Sequence, residues 1–251
     1  MTLQNRVDQL MRLLGRTPLE HDLMRGAITH HDPVTSTPGL SDVYHVRLAS
    51  GQEAFHKPFA GVLPGNASAY DQTPDDVPIN ECSAWLIARE LGPPFDSLVP
   101  TGVLRQINGE VGSLCSRKYG IPHDRAPLAV RELVLAAGFF DGLVAQQDRH
   151  LGNYRWDPGP GSLGLIDHGY AFARPGDLFH RSVFLRERHN QGWARLEAGE
   201  HAWLDRIQAS GDLMGLQLVL PTDRAVALQA RVEGMIRTGE VTSLPTGKRW
   251  P

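Results

Sequence analysis

Cysteine is nearly absent from this chain: Cys82 and Cys115 are the only two in 251 residues. Two thiols make no disulfide framework, and buried free thiols are the simpler expectation. No Cys-x-x-Cys, His-Glu-x-x-His or Gly-x-Ser-x-Gly occurs, so zinc sites of those kinds and a nucleophile elbow find no support. No apolar run approaches the roughly 20 residues that span a bilayer. Met1 to Arg6 lack the basic-then-apolar pattern of a signal peptide. A net charge of −3, with no polybasic segment or basic amphipathic helix, argues against a nucleic-acid or membrane-surface binder. Lysine is scarce as well, with three residues against twenty-two arginines. What remains is an ordinary globular composition, 41% hydrophobic and 21% charged, long enough for one large domain or two small lobes. A cytoplasmic enzyme or binding protein is the expectation.

The most informative stretch runs from Gln146 to Gly169. Tyr154–Trp156 and Leu163–Ile166 read as short strands around the turn formers Asp157-Pro158-Gly159-Pro160-Gly161. Asn153 and Asp167 are symmetric about Pro160, so an in-register antiparallel ladder would set them opposite each other. Asp148 lies just upstream. An amide oxygen and a carboxylate are hard ligands suited to Mg²⁺, which keeps waters and fills its shell with substrate phosphates. A further carboxylate nearby can accept a proton from an attacking hydroxyl. Each residue alone is a common turn former or strand end. Together, at this spacing and after an apolar helix, they form an arrangement used in kinase-type phosphoryl transfer.

The rest of the chain supplies a setting. Leu3 to Leu14 carry apolar residues at helical spacing, with Gly15 as a stop, and a more extended region begins at Leu23 and is broken by His30-His31-Asp32-Pro33. Thr35 to Asp42 make a turn rich in Ser, Thr and Gly, Ser41 among them, whose amides and hydroxyls can face phosphates. Strands follow at Val43–Leu48 and Glu53–Lys57, with Lys57 at the end of the second. Residues 61–77 read as a long loop, and a helix capped by Asn80 and stopped by Gly92 carries Glu81 in its first turn. Val99–Leu104 and Val111–Ser116 flank Asn108-Gly109, a strong hairpin signal. Pro127 opens a helix to about Ala145 that is apolar nearly all round, with Gly138 and Gly142 permitting close approach. Arg174, His180, Arg181, Arg186, Arg188 and His189 follow as a basic cluster, then two helices containing Trp203 and Val232 and a frayed tail from Thr242.

Asp148-Arg149-His150-x-x-Asn153 with Ile166-Asp167-His168-Gly169 resembles the catalytic and metal-binding loops of the phosphatidylinositol 3-/4-kinase-like superfamily, in particular its compact bacterial members, and more distantly the HipA-type kinases. His168 stands where many eukaryotic members have Phe. The resemblance implies an α+β, two-lobed protein kinase-like fold, with a small, mostly antiparallel β N-lobe over residues 1–118 and a largely helical C-lobe over 119–251. It implies ATP between the lobes, with Lys57 on the phosphates, Glu81 orienting Lys57, Asn153 and Asp167 holding Mg²⁺, and Asp148 positioning or deprotonating the acceptor hydroxyl; His150 either shares the base role or orients the loop. Residues 116–127 would be the connector that meets adenine.

The acceptor is not given by such a resemblance. A Ser or Thr hydroxyl of a protein or peptide is the first expectation and a small-molecule hydroxyl the second. Adenylyl transfer and a non-catalytic nucleotide-binding module remain alternatives. The dipeptides His21-Asp22, His31-Asp32 and His123-Asp124 raise a metal-dependent phosphohydrolase, which would place such a pair on a helix among further ligands, but each reads as lying beside Pro, at a chain break or in a loop.

Overall fold

The computed structural model describes residues 1–34, 41–174 and 182–241, with backbone only at 212 and 213. Residues 35–40 of the Ser/Thr-rich turn, His180 and Arg181 of the basic cluster, and the tail from Thr242 lie outside the described residues.

Two helices precede the sheet. In α1, Leu3–Leu13, the Thr2 hydroxyl accepts from Asn5 N and caps the first turn. In α2, Pro18–Arg25, Pro18 opens the helix and Thr17 with Glu20 forms a capping box. Leu23 is therefore helical, not extended, and the strand begins only at Ile28.

Five strands form one antiparallel sheet: β1 Ile28–Pro33, β2 Tyr44–Leu48, β3 Glu53–Pro58, β4 Gly102–Ile107 and β5 Glu110–Ser116, in the order β1-β2-β3-β5-β4. His30 to Pro33 continue β1 instead of breaking it, and Pro33 is tolerated because β1 is an edge. Asn108 and Gly109 both adopt positive φ, 51° and 89°, as the two-residue hairpin between β4 and β5 requires.

The expected loop over 61–77 is more ordered than its composition suggests. It holds a 3-10 turn, the short helix α3 at Pro64–Ser68, and the first turn of α4, Asp76–Leu91. Asn80 is thus not a cap. The helix starts a turn earlier because Asp76 accepts from the Thr73 amide and hydroxyl, at 2.9 and 2.8 Å, and from Arg6 at 2.8 Å. These contacts place a carboxylate at the positive end of the helix dipole. Nearly every side chain of α4 is buried.

After α5, Phe95–Leu98, and a 3-10 turn at Ala126–Ala129, α6 spans Arg131–Val144 and is enclosed from Val134 on. A Cβ on Gly138 would stand 3.3 Å from both Arg188 Cδ and Phe184 O of α7, Val183–Asn190, so this glycine does permit the close approach. Strands β6, Tyr154–Asp157, and β7, Ser162–Leu165, make a second, two-stranded sheet, and α8 Ala198–Ala209, α9 Gly211–Leu216 and α10 Thr222–Thr238 complete the helical part. The architecture is α+β, and the main hydrophobic core runs through both parts.

Candidate active site

Burial alternates along β3: Ala54, His56 and Pro58 turn to the core, whereas Phe55 and Lys57 line a cavity of about 680 Å³. That size suits a cofactor or small-molecule pocket. Lys57, Glu81, Asp148, His150, Asn153, Asp167 and Ser41 all line it, so the structure brings every sequence-predicted site residue to one place.

Lys57 Nζ lies 2.5 Å from Glu81 Oε1 and 2.6 Å from Asp167 Oδ1. The second oxygen of Glu81 accepts from the His168 amide at 2.9 Å. Glu81 is buried, while the Asp167 side chain is 40% exposed toward the cavity. Burial alone would lower the lysine pKa, but the Asp167 and Glu81 carboxylates outweigh it and hold the ammonium above its ordinary range. Burial likewise opposes the ionised form of Asp167, and Lys57 reverses that and lowers its pKa.

The hairpin register differs by one residue from the expected one. Tyr154 pairs with Leu165 and Asp157 with Ser162, and Ile166 N donates to Asn153 O, so Ile166, not Asp167, faces Asn153. Four residues lie between the strands, which centres the turn between Gly159 and Pro160. Asp167 leaves the ladder with a φ of 63°, swinging its carboxylate to Lys57. Gly169 follows because a Cβ there would lie 2.5 Å from Val77 Cγ1 of α4.

The loop before β6 is organised by Arg149, a buried member of the motif to which the sequence alone assigned no role. It donates to both Asp141 oxygens at 3.2 Å, to Asn153 O at 2.5 Å, to Ile166 O, and to His168 Nε2 at 2.8 Å. Because Arg has no acceptor, His168 Nε2 must be the acceptor, and the ring is neutral. Burial and then the Arg149 charge push the His168 pKa well down. Gln146 Nε2 adds a bond to Asp167 O at 2.9 Å. Asn153 Nδ2 donates to Asp148 O at 2.7 Å, which commits the amide nitrogen and reserves Oδ1 for an electropositive partner. His150 Nδ1 accepts from Gly152 N at 2.9 Å, and its Nε2 lies 3.9 Å from Asp148 Oδ2. The ring thus braces the loop. Ser41 Oγ accepts from Leu63 N at 3.5 Å, a long bond.

The basic cluster after Gly169 does not form one surface among the described residues. Arg188 is fully buried and binds Glu200, and Arg174 pairs with Asp71 and Asp223, each at 2.6 Å. The three His-Asp dipeptides fall in α2, β1 and the connector, and no group of three or more His, Cys, Asp or Glu side chains able to hold a metal occurs among the described residues. No helix among them is long and apolar enough to cross a membrane.

A five-stranded antiparallel sheet over a helical body, a cavity between them, and a strand lysine paired to a helix glutamate are features of one fold. The fold is kinase-like. Among solved structures, the Golgi casein kinase matches with a TM-score of 0.55 at 14% identity, over 92% of this chain and 75% of that one. Hydra Fam20, solved with sugar, matches with a TM-score of 0.56 at 15% identity, over 93% and 95%. The Golgi casein kinase with Mn and ADP bound matches with a TM-score of 0.55 at 13% identity, over 92% and 74%. No family model and no curated protein matches the sequence, and at these identities the likeness is one of fold.

Proposed function

We propose that this chain is an ATP-dependent phosphotransferase, most similar in its motifs to the phosphatidylinositol 3-/4-kinase-like superfamily, that moves the γ-phosphate to a hydroxyl, first of all a Ser or Thr of a protein or peptide. The observation that carries this is Lys57 bridging Glu81 and Asp167 at 2.5 and 2.6 Å. It joins β3, α4 and the end of the β6–β7 hairpin at one point, as an ATP phosphate site with an adjoining metal site requires. The Golgi casein kinase solved with Mn and ADP supports a nucleotide and a divalent cation by analogy.

The donors fit such a cation. Asp167 offers a partly exposed carboxylate and Asn153 an amide oxygen, both hard ligands. Mg²⁺ bound there would neutralise charge on the phosphate oxygens. Lys57 would hold the phosphates as a point charge, with Glu81 fixing its direction. Asp148 would orient or deprotonate the acceptor hydroxyl, His150 would brace the loop around it, and Ser41 would close the phosphate side. The nucleotide would sit between an N-lobe of residues 1–118 and a C-lobe of 119–251. Two buried free thiols suit a reducing, cytoplasmic setting.

Catalysis in this scheme comes from positioning and electrostatics, as a loose phosphoryl-transfer transition state allows. Calorimetry with ATP and Mg²⁺ on wild type and Asp148→Asn tests it. Both proteins should bind, with phosphate transfer lost only in the variant. Absence of Mg²⁺-dependent binding to wild type would end the proposal.

A further inference from the structure

Five basic side chains line the cavity: Lys57, Arg117, Lys118, His150 and Arg155. Three of them face a carboxylate. Lys57 has Glu81 and Asp167, Arg117 has Glu53 at 2.8 Å, and His150 has Asp148 at 3.9 Å. Lys118 gives its ammonium to Ser97 O at 2.5 Å. Arg155, like Lys118, meets carbonyls only. It is half-buried on β6, and no ion pair to a carboxylate forms there among the described residues. Its Nη1 donates to Gly152 O at 2.9 Å and Tyr154 O at 2.8 Å, which fixes the guanidinium, while Nε and Nη2 have no partner among the described residues.

A fixed, half-desolvated cation without a counter-ion is costly unless a ligand supplies the charge. The position says which part of a ligand that is. Gly152 anchors the guanidinium beside Asn153, and Asp167 lines the same cavity. Arg155 therefore shares the β6–β7 side of the cavity with Asn153, Ile166 and Asp167, whereas Val43 and Phe55, on the side of the five-stranded sheet, offer apolar surface suited to a base. The same cavity carries three carboxylates, Glu81, Asp148 and Asp167, so a polyphosphate entering it needs more positive charge than the already paired Lys57 provides.

We infer that Arg155 is a phosphate-binding residue of the nucleotide site, gripping from the β6–β7 floor the polyphosphate that Lys57 meets from the sheet above. The planar guanidinium, with two directions of donation still open, suits phosphate oxygens. The inference rests on the nucleotide reading of the cavity and names a contact that the motif does not contain.

Calorimetric titration of the full chain with adenosine and with MgADP tests it, using wild type, Arg155→Gln, which keeps much of the shape without the charge, and Arg155→Lys. The glutamine variant should lose about tenfold or more in MgADP affinity, as for a lost charge-assisted hydrogen bond. Adenosine affinity should stay unchanged, and lysine should restore part of the loss. Unchanged MgADP binding in Arg155→Gln, or an equal loss for adenosine, would overturn the inference alone. Failure of wild type to bind MgADP would overturn the nucleotide reading and the inference with it.

Discussion

The side-chain amide of Asn80 donates to the carbonyl of Gly169 at 2.9 Å. The same nitrogen reaches Ala171 O at 3.2 Å and Gln72 Oε1 at 2.7 Å. Helix α4, which carries Glu81, is thereby fastened to the segment that follows Asp167. Glu81 fastens it a second time through the His168 amide.

Asn80→Leu should therefore destabilise the chain by about 1–3 kcal/mol, because buried carbonyls lose their donor. Asn80→Asp should cost more, since a carboxylate facing carbonyl oxygens donates nothing. Urea unfolding midpoints decide. Equal stability of all three proteins would contradict the role.

Lys57→Met should lower phosphate transfer by about a hundredfold or more, the range seen when one preorganised electrostatic contact is removed from a site. Glu81→Gln should lower it less, because Lys57 keeps Asp167. Initial rates with labelled ATP check both. A methionine variant with wild-type rates would remove Lys57 from the chemistry.

Stability should fall with acid from about pH 6.5 downward. His56 is fully buried, and burial followed by the His31 charge lowers its pKa to about 4. His168 is lowered in the same direction. Unfolded chains bind these protons near pH 6.5 and the folded chain does not, so the stability is complete above that pH and is lost below it. Each histidine contributes at most about 1.4 kcal/mol per pH unit. His56→Leu should flatten the slope between pH 6.5 and 4 in chemical unfolding, and an unchanged slope would contradict the assignment.

Glu20 has no exposure and accepts from Trp85 Nε1 and Arg89 Nη1, both at 2.7 Å, joining α2 to α4. Burial opposes its ionised form, but the Trp85, Thr17 and Arg89 contacts prevail and lower its pKa. Its contribution is present above about pH 4.5 and disappears as pH falls through the lowered value. Glu20→Ala should cost about 3 kcal/mol at neutral pH, as for a broken buried pair, with the difference from wild type shrinking in acid. Thermal melts at pH 7 and pH 3.5 measure it.

The site was legible where its chemistry is local. Asp148, Asn153 and Asp167 fall within one short stretch, and Lys57 and Glu81 sit on elements whose order the sequence shows. The hairpin register was not legible, because a run of five turn formers does not say how many of them the loop uses, and one residue moves Asp167 off the rung opposite Asn153. Asn80 reads as a cap because it precedes an apolar run. What moves the helix start to Asp76 includes a contact with Arg6, distant in sequence. Arg149 was visible only as part of the Asp148–Asn153 motif, and its buried role depends on Asp141 and His168 meeting it in space. The capping box of Thr17 and Glu20 was a signal that sequence does contain; it alone could have replaced the extended reading with α2.

The most direct measurement is transfer of label from ATP, carried in separate reactions at the γ or the α position, with Mg²⁺ and either wild type or Asp167→Ala. Label from the γ position alone, on protein, with none in the variant, is the predicted result. Label from the α position would mean adenylyl transfer, and label that persists in Asp167→Ala would contradict the site described around Lys57, Glu81 and Asp167.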